Sequence, residues 1–145
     1  MKSSIFCTSI QVIAFVTFST TAIAAEDYGP FNLDGGKIAC NNDSGPEIKK
    51  TQVYKAPPDR FFIEGSINVS TISGWGKSSS CSVSGVTKKD INVTTDFGVV
   101  PVKVISEFAV FAHADCGSGI LNNTGGKIAS IECSVAAQLQ KYTNK

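Results

Sequence analysis

The chain has 145 residues, with 13 Lys and Arg against 12 Asp and Glu, one His and five Cys. That near-neutral balance, with signs alternating along the chain, excludes a nucleic-acid binder, which would carry a basic stripe; the adjacent basic pairs, Lys49-Lys50 and Lys88-Lys89, read as solvated turns. The length fits one domain with a true hydrophobic core.

The first 25 residues read as an export signal. Lys2 is the sole charge before Glu26, an apolar stretch covers residues 10–18, and the small-residue run Ala22-Ile-Ala-Ala25 offers a cleavage site after Ala24 or Ala25. The apolar stretch is broken by Thr17 and Ser19 and falls short of the ~18 residues of a membrane anchor. The expected organisation is therefore a cleaved signal peptide over residues 1–25 and a single β-sandwich domain over residues 26–145. The mature chain has no membrane span and is secreted or periplasmic.

Cys7 leaves with the signal, so Cys40, Cys81, Cys116 and Cys133 remain, an even number in an oxidising compartment. Two disulfides follow. A zinc site is not expected, because there is no C-x2-C spacing and only one histidine. Neither a metal nor a cofactor is predicted.

Most of the mature chain reads as strands and turns. Within residues 60–72, Phe61, Ile63, Gly65, Ile67 and Val69 alternate with Arg60, Glu64, Ser66, Asn68 and Ser70, which predicts one strand with a buried face. Cys81, Val83 and Gly85 alternate with serines and predict a second, short strand. Residues 86–91 read as a polar hairpin tip, and Ile91, Val93 and Thr95 as the strand after it.

Two stronger patterns close the chain. The even positions from Val100 through Phe108 to Cys116 and the odd positions from Ala129 through Cys133 to Leu139 are apolar or small. Between them lies Asn122-Asn-Thr-Gly-Gly126, a turn signal. If it joins the two strands as a hairpin, Cys116 faces Cys133, which predicts that pair as one bridge and Cys40 with Cys81 as the other. Residues 135–141 keep the alternation and read as strand, although their composition suits a helix. The fold class expected is all-β, a small two-sheet antiparallel, immunoglobulin-like sandwich of six or seven strands with two disulfides.

Candidate sites are few. His113 and Asp115 form a polar pair on the outward side of one strand, an arrangement capable of acid–base work but read here as a surface histidine bonded to its neighbour. No serine stands in a G-x-S-x-G elbow and the cysteines are committed to bridges, so no catalytic residue is expected and the chain is read as a non-enzyme. Ser73-Gly-Trp-Gly-Lys77 places the single tryptophan in a glycine-flanked loop, and Trp75, Lys77 and Ser78 are the expected ligand-binding residues. Ile105 and Phe111 fall on the outward side of their strand, which implies either a strand buried on both sides or an apolar surface that a partner covers. Asn42, Asn68, Asn92 and Asn122 fit the glycosylation acceptor pattern, which the bacterial look of the signal would leave idle.

The spacing of Cys40 and Cys81, with an alternating strand near the C-terminus containing Tyr142, resembles chaperone-assembled pilus subunits, which are incomplete immunoglobulin-like sandwiches with one bridge. The chain departs from them in its second cysteine pair, in the lack of an alternating apolar strand between Glu26 and Cys40, and in its polar end at Lys145. The leading expectation is an exported binding module that recognises a glycan or protein surface and performs no reaction. A structural or assembly protein of the cell surface is the second reading, and a small hydrolase or hydrolase inhibitor the third.

Overall fold

The computed structural model describes residues 24–40, 46–117 and 128–142; nearly all of the expected signal, the hairpin tip at 122–126 and the acceptor sites at Asn42 and Asn122 lie outside them. Seven strands follow in order: β1 (Glu26–Ala39), β2 (Glu47–Lys55), β3 (Arg60–Phe62), β4 (Asn68–Trp75), β5 (Ser78–Thr95), β6 (Gly98–Asp115) and β7 (Ile128–Lys141). Every pairing is antiparallel. The all-β expectation holds.

β6 runs between β2 and β5, while β7 runs between β1 and β4. Short β3 pairs with both central strands, setting Phe62 opposite Ile105 and Leu139, so it links the two halves. The core lies between them: Phe108, Val110, Ala112 and Ala114 of β6 and Ile131, Cys133, Val135 and Ala137 of β7 are buried. At one side Phe62 and Phe108 meet edge to face at 4.9 Å, and Tyr54 stacks on Phe108 at 5.3 Å. Such aromatic pairs add to what their burial contributes.

β6 and β7 are therefore not hairpin partners. Period two identifies which face of a strand is buried but not which strand lies beside it. Two strands that are each central must take their neighbours from elsewhere in the chain. The bridges change accordingly: Cys40 pairs with Cys116 and Cys81 with Cys133, at Cα separations of 5.5 and 5.9 Å. Cys133 points off β7 into the interior, where Cys81 arrives from β5 in the opposite half. Cys116 lies just past β6, where its N–H donates to the Pro46 carbonyl at 3.2 Å and Cys40 arrives from the end of β1.

Three local expectations also change. The strand expected over 60–72 breaks into β3 and β4 at a turn containing Gly65 (φ 83°), where the Ser66 hydroxyl and N–H both donate to the Ile63 carbonyl at 2.7 and 3.1 Å. The segment 86–91 is not a tip; β5 is one strand of 18 residues, and the turn is at Asp96 and Phe97. Its register shifts between Val83 and Gly85 and between Thr87 and Lys88, which interrupts the alternation that defines a strand in sequence. Ile105 belongs to the core against Phe62, because a neighbouring register shift turns it inward.

β1 was hidden for the same reason. Its register shifts between Tyr28 and Phe31 and between Asp34 and Gly36, so Leu33 is its one fully buried apolar side chain.

Candidate functional site

The outer face of the β4–β7–β1 half is polar by alternation. Ala129, Ile131 and Cys133 point inward, which leaves Ser130, Glu132 and Ser134 outward in the middle of the face. On one side Trp75 stands opposite Ser130 and Ser73 opposite Glu132; on the other, Lys37 stands opposite Ser130 and Asn32 opposite Ser134. The Glu132 carboxylate accepts from both flanks, from Asn32 Nδ2 at 3.2 Å and from the Ser73 hydroxyl at 3.3 Å. These contacts fix the carboxylate on an open surface.

Trp75 is 68% exposed, yet it stands on an ordered strand end and not on a loop. Two glycines flank it where the chain leaves no room for a side chain. A Cβ on Gly74 would come within 2.2 Å of the Ser79 hydroxyl, and one on Gly76 (φ 134°) within 2.7 Å of the Asp115 carbonyl. The chain thus passes tightly from β4 to β5, and the Lys77 N–H donates to the Asp115 carbonyl at 2.7 Å. The indole stands exposed at the end of β4.

Of the residues expected to bind with Trp75, Lys77 is exposed beside it, whereas Ser78 pairs with Asp115 and belongs to the outer face of the other half. That second face also carries His113. Its Nε2 lies 3.0 Å from a Glu47 oxygen and its ring stacks on Phe111 at 6.0 Å, while the Asp115 carboxylate accepts the Gly117 N–H at 2.7 Å. The partner of His113 is therefore Glu47 across the ladder, not Asp115. Hydrogen bonds from Lys49 first and His113 second hold the Glu47 carboxyl below the usual carboxylate range. Among the described residues no group of three or more His, Cys, Asp or Glu could hold a metal ion.

A second surface was not expected. β5 and β6 run on past the body as a two-stranded arm whose turn places Phe97 fully in solvent, at 101% of its reference exposure. The register sorts the arm into faces. Lys89, Ile91 and Val93 pair with Val104, Val102 and Val100 on one, while Asp90, Asn92 and Thr94 pair with Lys103, Pro101 and Val99 on the other. Ile91 and Val104 are buried near the body, whereas Val100 and Val102 are exposed toward the tip. Between the arm and the ends of β3 and β7 lies an open cleft of about 410 Å³, lined by Phe61, Ile91, Val93, Val102, Val104 and Lys141 among others. The sequence signal was Asp96-Phe97-Gly98, an aromatic set between two alternating runs.

No family model, curated protein or solved structure matches this chain.

Proposed function

We propose that the chain is an exported, disulfide-stabilised, non-catalytic binding module that recognises a glycan on the outer face of β4, β7 and β1. The exposed indole of Trp75, standing beside the hydrogen-bonded Glu132 carboxylate, carries this reading. A pyranose ring has an apolar C–H face and a rim of hydroxyls. The first stacks on an indole, and the second finds acceptors and donors in Glu132, Asn32, Ser73 and Ser130, with Lys37 and Lys77 at the margin.

Large aromatics are mostly buried in folded proteins, so one left exposed at a strand end favours a ligand-facing role over core packing. The open face suits recognition better than a water-excluding reaction. Two disulfides are compatible with an oxidising location outside the cytoplasm.

The test is a glycan array followed by calorimetry. Binding to at least one oligosaccharide is expected, lost in Trp75→Ala and weakened about tenfold or more in Glu132→Gln. An array on which wild type and Trp75→Ala give the same pattern would overturn the glycan reading.

A further inference from the structure

The arm and the cleft at its base have matching chemistry. The tip presents Phe97, fully exposed, next to the carboxylate of Asp96. The cleft offers an apolar floor of Phe61, Ile91, Val102 and Val104, with Lys141 lining it and Lys89 beside it. Lys89 is held there by the Tyr142 hydroxyl, 3.1 Å from its ammonium. Its own tip does not fill the cleft: Phe97 is fully exposed and lies three residues beyond Thr94, where the lining on its strand ends. A second copy carries the same tip.

We propose that two copies of this chain associate reciprocally through their arms, each seating Phe97 in the other's cleft and bringing Asp96 to the other's Lys141. Three observations favour a second copy over an unrelated partner. The tip pairs an apolar knob with a negative charge and the cleft pairs an apolar floor with a positive one, so the surface is self-complementary. The apolar face of the arm also continues past the body through Val102 and Val100, and packing two such faces together would cover both. Finally, the formal net charge of +1 gives copies no long-range reason to repel. Reciprocal contact closes the assembly at two, as in a two-fold interface where residue i meets j and j meets i. The inference stands apart from the glycan reading, since Trp75 lies on a different surface.

Analytical ultracentrifugation of the disulfide-intact protein tests it. The expected result is a species of twice the monomer mass that dissociates on dilution. Phe97→Ser should be monomeric throughout, and because that side chain touches only solvent within one copy the variant should melt like wild type diluted to its monomer. Asp96→Lys should weaken the dimer, and adding Lys141→Glu should restore it, whereas Trp75→Ala should leave it intact. A wild-type protein that stays monomeric at its highest soluble concentration, a dimer that survives Phe97→Ser, a charge swap that restores nothing, or open-ended polymers would each overturn the reciprocal dimer.

Discussion

Cys133 in the middle of β7 is bonded to Cys81 of β5, so the bridge runs from the centre of one half of the protein to a flanking strand of the other. The two residues are 52 apart in sequence, and the partners Cys40 and Cys116 are 76 apart. By loop-closure entropy each bridge contributes about 4 kcal/mol. Non-reducing peptide mapping should recover the pairs 40 with 116 and 81 with 133, and no peptide joining 116 to 133. Replacing Cys81 and Cys133 together by alanine should lower the unfolding free energy in urea by about 2–5 kcal/mol.

Phe108 and Phe97 should respond in opposite ways to truncation. Phe108 is buried between Phe62 and Tyr54, and Phe108→Ala would leave a cavity worth about 3–5 kcal/mol. Within one copy Phe97 meets only water, so at concentrations where the protein is monomeric Phe97→Ala should change stability by less than about 0.5 kcal/mol. Urea denaturation of the two variants side by side makes the comparison.

How much of this was legible in sequence follows from how regular each strand is. The buried faces of β6 and β7 were plain because both keep strict alternation where they cross the core. β1 and β5 were missed or cut short because register shifts move side chains from one face to the other without leaving a composition signal. Which strands neighbour one another, and therefore the cysteine partners, depends on contacts between distant segments that local periodicity does not encode. Trp75 was visible as a lone indole between glycines, but Glu132 and Asn32 reach the same face only through pairing across three strands. Val100 and Val102 were expected on the same buried face as Phe108, but the register shift next to Ile105 puts them on the opposite side of the strand, where they are exposed.

Gly76→Ala should separate the fold's need for glycine from the ligand's need for tryptophan. Its φ of 134° lies where side chains are strained, and a methyl group there would meet the Asp115 carbonyl at 2.7 Å. A loss of about 1–3 kcal/mol is expected in urea denaturation. Trp75→Ala, by contrast, should unfold at the same urea concentration as wild type.

Arg60 grips Glu26 with two hydrogen bonds, Nε to Oε2 at 2.6 Å and a terminal nitrogen to Oε1 at 3.1 Å. With the expected cleavage after Ala24 or Ala25, Glu26 would become the first or second residue of the mature chain, so this pair would tie the start of β1 to β3. The Arg60 hydrogen bond, ahead of charge attraction from Arg60 and Lys141, holds the Glu26 carboxyl below the usual carboxylate range. A carboxyl depressed in the folded state stabilises the fold above its unfolded pKa of about 4.3, and that contribution disappears as pH falls through the lower folded value. Wild type should therefore be slightly more stable than Glu26→Gln at neutral pH, with the gap closing once the medium is more acidic than the folded pKa. Because the pair is solvent-exposed the gap will be small and should shrink in high salt. Carboxyl carbon shifts of Glu26 followed by NMR titration, alongside urea midpoints of both proteins at neutral and acidic pH, check the sign; a Glu26 that titrates at or above the usual carboxylate range would contradict it.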